Sequence, residues 1–354
     1  MTDLQTAPHT AVALRGGHLP RYAPAIAGVV AIAAGALIGI TVHWNIAGIA
    51  ILAAVLYMVG LTIWSRLVEN ARRATDRLVT SLVWVALSLA FIPLFSLLYE
   101  TVSKGAGAIN GKFLTWTMRN VIDAPGGIYH AIVGTLLITL AATVIAVPVG
   151  LLSAIYLVEY GGPSRLARWI RFLVDVMTGI PSIVAGLFAY ALFSLIIGPG
   201  TQFGIGGGVA LSLLMIPIVV RSTEEMLKLV PHDLREASYA LGVPKWKTIV
   251  KVVLPTAMAG IITGVTLAIA RVIGETAPLL IICGSTDSLN TNLFHGQMAS
   301  LPVFIYTSYT QAGANPEILQ KMAWGAALVL IVIVMVLNIL ARVAGRFFAP
   351  KTGH

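Results

Sequence analysis

Residues 260–283 read GIITGVTLAIARVIGETAPLLIIC, an apolar run with one arginine and one glutamate near its middle. A helix that crosses a bilayer needs roughly 20 mostly apolar residues. Arg271 stands 11 residues into the run, which is about 16 Å along an α-helix. The run therefore predicts a membrane-spanning helix that carries a charged pair close to the centre of the bilayer.

The rest of the chain also has the composition of a membrane protein. Its 354 residues are 58% hydrophobic and 10% charged, whereas soluble domains carry about 25% charged residues. The apolar runs predict an all-α integral membrane fold with eight transmembrane helices, at Ala25–Val42, Ile46–Trp64, Leu82–Tyr99, Ala131–Leu157, Pro181–Ile197, Phe203–Val220, Gly260–Cys283 and Met322–Leu340.

The positions of the basic residues predict the orientation. With the N-terminus inside, 18 of the 23 lysines and arginines fall in cytoplasmic segments, from Arg15 in the N-terminal tail to Lys351 in the C-terminal tail. Membrane proteins concentrate lysine and arginine in their cytoplasmic loops. Both termini of a multi-pass protein of the cell membrane are therefore predicted to be cytoplasmic.

Several functional classes have no candidate residues. The net charge of +9 comes from short loops rather than from a basic run interleaved with aromatic residues. The single cysteine, Cys283, excludes an intrachain disulfide and a cysteine-based zinc site, and the seven histidines show no metal-ligand spacing. The chain lacks a G-x-x-x-x-G-K-[ST] phosphate loop, so we expect no ATP hydrolysis, no catalytic residues and no cofactor in this chain.

The charged pair in residues 260–283 has two interpretations. Arg271 and Glu275 are four residues apart and share one face of a continuous helix. A lone charge at that depth costs at least about 2.5–3.5 kcal/mol, so the pair is either an internal salt bridge that fixes helix packing or an anion site. Arginine suits an anion because its planar guanidinium matches phosphate oxygens and stays charged. Pro278 is expected to interrupt the helix just beyond the pair.

Three further polar residues are candidates with ordinary alternatives. Thr276 and Ser182 can donate hydrogen bonds to an oxyanion, and bonding back to their own helices is an equal alternative. Asp175 near the cytoplasmic edge of the fifth span is either a gate residue or a helix-terminal acid.

The longest cytoplasmic connection, residues 221–257, is predicted to be structured. Asp233 and Glu236 have the spacing of a capping box, which predicts a helix over Leu234–Leu241, and Gly242 follows where a left-handed terminating residue belongs. A second short helix, Lys245–Val253, is expected to stop near Pro255. From capping alone, a well-ordered loop without further function is an open alternative.

The sequence of this segment, at about residues 223–257, resembles the EAA coupling loop of binding-cassette importer permeases. In that family the loop forms a helix that docks on a cytoplasmic ATPase. The resemblance implies that the coupling residues are Asp233, Glu236, Ala237, Ser238, Gly242, Leu254 and Pro255.

The sequence from Arg271 to Pro278, RVIGETAP, is similar to the signature of phosphate-importer permeases of the PstA type. The resemblance continues in YHAxxGTL at residues 129–136, VEYG at 158–161, GIPSIV at 179–184 and FHGxMASLP at 294–302. It implies a substrate site for inorganic phosphate at Arg271, Glu275, Thr276 and Ser182. It also implies a PstC-like partner permease, two PstB-like ATPases that bind ATP and magnesium, and an extracytoplasmic phosphate-binding protein.

The resemblance also divides the chain. The family core has six spans, a type I importer domain expected at residues 78–346. Residues 1–77 are then a cytoplasmic tail, an additional transmembrane hairpin and a linker, and residues 347–354 are a cytoplasmic tail.

Three alternative functions remain at this point. The chain resembles an importer permease, whose substrate is either phosphate or another oxyanion such as molybdate or sulfate. A secondary anion transporter would need no ATPase. A membrane scaffold or sensor subunit would have no translocation path.

Overall fold

The computed structural model describes residues 18–121, 125–311 and 315–348, and these are helical with no β-strand. The predicted cytoplasmic tails with Arg15 and Lys351 lie outside the described residues. The α-helices are α1 Ala23–Thr41, α2 Ile46–Val68, α3 Ala71–Gly105, α4 Gly111–Thr115, α5 Tyr129–Ile155, α6 Arg165–Thr178, α7 Ser182–Ile196, α8 Gly204–Lys228, α9 His232–Ala240, α10 Lys245–Thr248, α11 Leu254–Val272, α12 Ala277–Ile282, α13 Leu301–Thr310 and α14 Pro316–Phe348.

Contacts divide the chain into two compact units, one ending at Leu98 and the other beginning at Tyr99. The division falls inside α3. In the first unit, α1 and α2 form a closely packed hairpin. A Cβ atom on Gly35 would lie 3.0 Å from the Cβ atom of Ala53, and one on Gly39 would lie 2.2 Å from a side-chain carbon of Ile49. Small residues at these positions allow the two helix backbones to approach each other.

One buried carboxylate organises the connection between α2 and α3. The Glu69 side chain is 2% exposed and accepts two hydrogen bonds from the Arg77 guanidinium, at 2.8 and 3.0 Å. It also accepts from the Ser65 hydroxyl at 2.7 Å and from the Leu19 backbone N–H at 3.1 Å. The Arg77 guanidinium, followed by the Ser65 hydroxyl, lowers the pKa of Glu69 from 4.5 to about 2. The carboxylate thus ties α3 to the end of the hairpin.

In the second unit the buried helix is α8, whose glycine-rich start lets its neighbours come close. A Cβ atom on Gly207 would lie 2.2 Å from the Sγ atom of Cys283, and one on Gly208 would lie 2.8 Å from the Cβ atom of Ala141. These glycines therefore serve close contact between α8, α5 and the end of α12. The large side chains of the same core include Leu211.

The sequence predicts eight spans, but fewer than eight single helices of the described chain are long and apolar enough to cross a membrane. In the described residues, seven helices are long and apolar enough to cross a membrane, and an eighth span exists only if α6 and α7 are counted together. The predicted fifth span, Pro181–Ile197, corresponds to α7, which has 15 residues. At 1.5 Å per residue α7 is only about 22 Å long, and it bends by 110° from α6.

The structure also differs from the prediction at the seventh span and at the short helix before it, because the two are continuous. Helical structure runs without a stop from Lys245 to Val272, so the expectation that a helix ends near Pro255 is wrong. A π-helical turn at Ile249–Val253 precedes the proline, and the Leu254 N–H bonds to the Ile249 carbonyl. This wider turn places Leu254 and Pro255 at the start of α11, where the missing proline N–H is tolerated.

We predict that Glu69→Gln lowers the free energy of unfolding by about 1–3 kcal/mol, because Arg77 loses its charged acceptor. The pKa of Glu69 is lowered on folding. Its stabilising effect is therefore complete above the ordinary pKa of 4.5 and is lost as pH falls toward 2. Thermal unfolding of the detergent-purified protein across this pH range measures both effects.

The matched control is Glu100→Gln, since Glu100 forms an exposed pair with Lys104 at 2.8 Å, and such pairs contribute little. Equal destabilisation by the two substitutions, or a pH-independent difference between Glu69→Gln and the native chain, would contradict the prediction.

Candidate functional site

Arg271 and Glu275 form an ion pair at the end of α11, with the Arg271 Nη1 atom donating to the Glu275 Oε1 atom. The two side chains differ in exposure, at 65% for Arg271 and 11% for Glu275. The guanidinium is thus held by one carboxylate at one edge and remains open along most of its surface. It retains donors that can bind an additional anion.

The chain is not helical between these two residues. Helix α11 ends at Val272 and α12 begins at Ala277, so the interruption lies between the charges and not beyond them as predicted. Pro278 has no N–H for the carbonyl of Gly274, four residues earlier, and its ring would clash with that carbonyl in a continuous helix. The pair therefore forms across a break, where the Glu275 N–H bonds to the Val272 carbonyl at 3.1 Å.

The break is approached by α7. A Cβ atom on Gly186 would lie 2.5 Å from the Cα atom of Pro278, so only glycine lets the two segments come this close. Ser182 begins α7, and Thr276 is the residue before α12. Within the described residues, neither hydroxyl forms a hydrogen bond with the Arg271–Glu275 pair, and their role as substrate ligands stays a prediction.

A second charge cluster joins α6 to α8, and the sequence analysis did not identify it. Asp175 accepts a hydrogen bond from Arg221. Glu224 is 4% exposed and lies 2.8 Å from Lys228 and 3.6 Å from Arg171. The spacing of Glu224 and Lys228 on one helix is a sequence signal for pairing. No such signal indicates that Arg171 and Asp175 of α6 join the cluster.

The helix of the EAA-like segment begins earlier than predicted. Helix α9 starts at His232, and Pro231 precedes it with extended backbone and no side-chain capping bond. The capping box predicted from Asp233 and Glu236 is therefore not formed. With its fixed φ angle, Pro231 leads directly into the helix, and Asp233 lies in the first turn, where a negative charge is favourable.

Arg235 anchors α9 to the π-helical turn Tyr156–Tyr160, which directly follows α5 and contains Glu159. It is 8% exposed, and its guanidinium donates to the Glu159 carboxylate at 2.9 and 3.2 Å. It also donates to the carbonyls of Val230 at 2.6 Å and Leu227 at 3.0 Å. Lys245 donates to the Glu159 carbonyl. Glu159 belongs to the VEYG motif, but its partner is 76 residues away in sequence, and no local pattern indicates that pairing.

The other predicted coupling residues occupy distinct faces of this corner. Ser238 is buried and hydrogen-bonds with Thr248 at 2.8 Å, which joins α9 to α10. Gly242 has φ +73°, so the predicted left-handed turn is confirmed at this residue. Glu236 and Ala237 are exposed. The buried face of α9 thus holds the helix in place, and its exposed face is free to contact another protein.

In the described part of the chain, no three histidine, cysteine, aspartate or glutamate residues are grouped so as to hold a metal ion. The clusters around Glu159 and Glu224 pair acidic groups with lysine and arginine instead.

Residues 146–354 match the family model described as binding-protein-dependent transport system inner membrane component. Among curated proteins, the chain is 48% identical to the phosphate transport system permease protein PstA 1 of Mycobacterium tuberculosis over 284 residues, 79% of this chain and 91% of that protein. It is 42% identical to the PstA protein of Yersinia pestis over 281 residues, 79% of this chain and 92% of that protein.

Solved structures show a similar fold. A bacterial alginate ABC transporter bound to an alginate-loaded periplasmic protein matches with a TM-score of 0.55 at 15% identity, covering 82% of this chain and 100% of that one. Residues of the matched family model span α11 with the Arg271–Glu275 pair and the α9 corner. The chain therefore belongs to the binding-protein-dependent transport permeases and, within them, to the PstA family of ABC importer permease subunits.

Proposed function

We propose that this chain is the permease subunit through which an ATP-driven importer moves inorganic phosphate into a bacterial cell, with Arg271 as the anion-binding residue. The observation that carries the proposal is the exposure of the Arg271 guanidinium, 65%, beside the largely buried Glu275. In the described residues the Arg271 guanidinium is paired with one carboxylate, whereas the buried Glu224 carboxylate is shared by Arg171, Arg221 and Lys228. The phosphate transport names of the PstA relatives support the same substrate.

Glu275 has a specific task in this proposal. In the empty site its carboxylate neutralises Arg271, which reduces the cost of a charge within the membrane. When phosphate arrives, it competes with Glu275 for the guanidinium donors, and the carboxylate repels the bound anion. Binding is then weak enough for release on the other side. The helix break at residues 273–276 lies at the pair, and interrupted helices are found at transport sites. Thr276 and Ser182 are proposed as further ligands.

Alternating access then requires movement of the cytoplasmic corner. The exposed face of α9, with Glu236 and Ala237, docks on the ATPase. Arg235 holds α9 to the turn that follows α5, and Ser238 holds it to α10. Because α10 and α11 are continuous up to Val272, displacement of the corner changes the surroundings of Arg271. In this proposal both termini are cytoplasmic.

The proposed assembly contains one PstC-like permease, two copies of a PstB-like ATPase and an extracytoplasmic phosphate-binding protein. ATP and magnesium bind to the ATPase subunits. The importer function of the family and the exposed coupling face of α9 support these partners.

We predict that Arg271→Ala reduces phosphate uptake roughly 10- to 150-fold, the equivalent of about 1.5–3 kcal/mol for a hydrogen-bonded charge. Arg271→Lys should be intermediate, because it keeps the charge but loses the planar pair of donors. Radiolabelled phosphate uptake in cells, with copurification of the ATPase as a test of assembly, measures the effect.

Arg342→Ala is the matched control, since Arg342 is an exposed arginine on α14. Near-normal uptake by an assembled Arg271→Ala complex would reject the anion role. Competition by unlabelled molybdate or sulfate as strong as that by phosphate would show that the substrate is another oxyanion.

We predict that Arg235→Gln reduces ATP-dependent uptake at least tenfold, because the nearly buried Glu159 loses its partner at a cost of about 3–5 kcal/mol. The measurements are uptake and copurification with the ATPase. Lys247→Gln, at an exposed site on α10, should leave both unchanged. Normal ATPase binding and uptake in Arg235→Gln would contradict the anchoring role.

We predict that Gly242→Val, combined with Glu236→Ala, abolishes uptake, because a β-branched residue is strained at φ +73°. Gly111→Val is the control, since a side chain there has no neighbour within 4 Å and its φ is ordinary. Uptake that survives the double substitution and ATP depletion would favour a secondary transporter over an ATP-driven importer.

A further inference from the structure

The first unit contains an apolar cleft between the α1–α2 hairpin and α3. It has a volume of about 470 Å³ and is lined on one side by small residues, including Gly28, Ala50 and Ala53, and on the other by Trp84 and Leu89. A Cβ atom on Gly28 would meet only one ring carbon of Tyr57, at 4.0 Å. The cleft is therefore open beside Gly28, and α3 does not pack closely along the hairpin.

A polar pocket continues the cleft at one end. It has a volume of about 460 Å³ and shares Pro24, Tyr57 and Trp84 with the apolar cleft. Its lining includes Arg73 and Asp76 near the start of α3. The combined cavity is thus charged at one end and apolar along the rest, which is the polarity of a phospholipid.

The length of the cavity also suits one lipid. Arg73 and Leu89 are 16 residues apart on α3, which corresponds to about 24 Å. One leaflet of a bilayer, with its headgroup region, is about 20–22 Å thick. A headgroup beside Arg73 would therefore place an acyl chain beside Trp84 and Leu89.

The charges of the polar end select among headgroups. Glu69 is bonded to Arg77, Ser65 and the Leu19 backbone. Its carboxylate also lies 3.7 Å from the Arg73 guanidinium, which contacts the His18 ring and stays 45% exposed. Arg73 and Asp76 are the exposed charges of the lining. The pocket has two arginines and two acidic residues, so its formal charge is balanced when His18 is neutral. A net anion is not favoured by a balanced site, whereas a headgroup with one phosphate and one ammonium group matches Arg73 and Asp76.

We propose that this cavity binds a zwitterionic, ammonium-bearing phospholipid of the phosphatidylethanolamine class. The phosphate contacts Arg73, the ammonium contacts Asp76, and one acyl chain fills the cleft beside Gly28. The bound lipid supplies the packing that α3 lacks along the hairpin. This site is separate from the residues of the proposed transport pathway.

The test uses the full chain, purified in detergent and equilibrated with defined mixtures of phosphatidylethanolamine, phosphatidylcholine and phosphatidylglycerol, followed by native mass spectrometry. We expect preferential retention of phosphatidylethanolamine. Gly28→Leu fills the cleft and should lower that retention at least about fivefold. Gly60→Leu is the matched control, because a Cβ atom on Gly60 in α2 has no neighbour within 4 Å and Gly60 does not line the cleft.

The charges give a second readout. Asp76→Asn leaves the lining net positive and should shift the preference toward phosphatidylglycerol. Arg73→Gln should lower retention of all three lipids by about fivefold, because each headgroup carries a phosphate, while Arg72→Gln at the neighbouring exposed position should not. Equal retention of the three lipids by the native chain, or equal retention by the Gly28→Leu and Gly60→Leu variants, would overturn the proposal. The proposal would also be overturned if the cleft retained no lipid and Gly28→Leu instead weakened copurification with a second permease.

Discussion

In the hydrocarbon region of a bilayer each backbone N–H and C=O must find a partner within the protein, since no water is present to bond it. This constraint explains why the candidate membrane spans among the described residues are helices. It also explains where a helix can be interrupted. The break at residues 273–276 lies where α7 approaches Pro278 through Gly186. Within it, the Ile273 and Glu275 N–H groups bond to the carbonyls of Ile269 and Val272. The glycine-rich start of α8 serves the same need for close helix contact.

Charged groups in this chain fall into two kinds. The buried carboxylates of Glu69, Glu159 and Glu224 are each paired with arginine or lysine, and each joins segments that are distant in sequence or adjacent helices. Removing one partner from such a pair leaves an uncompensated charge, so these pairs serve the architecture. Exposure of the cation does not by itself distinguish Arg271, since Lys228 beside Glu224 is 59% exposed and Arg271 beside Glu275 is 65% exposed. Arg271 differs because its pair with Glu275 lies across a break between two helices, α11 and α12.

The sequence was sufficient for the features that depend on local composition. Apolar length located the seven helices that are long enough to cross a membrane, and the turn at Gly242 followed from its position after a helix. The failures have physical causes. Pro255 was expected to stop a helix, but the π-helical turn before it removes the conflict. The capping box at Asp233 is not formed, because the backbone conformation of Pro231 leads directly into the helix. The Arg235–Glu159 pair spans 76 residues, and only the folded chain brings it together. The length of α7, and the bend before it, likewise depend on neighbouring helices.

The π-helical turn at Ile249–Val253 has a mechanical consequence. Without it, a hinge at Pro255 would let the cytoplasmic corner move independently of the membrane helix. With it, the segment from Lys245 to Arg271 is a single rod about 39 Å long. In the proposed mechanism, a tilt applied at the cytoplasmic end of this continuous helix moves the Arg271 guanidinium. The continuous helix ends at Val272, and the chain beyond it forms a loop beside the charged pair.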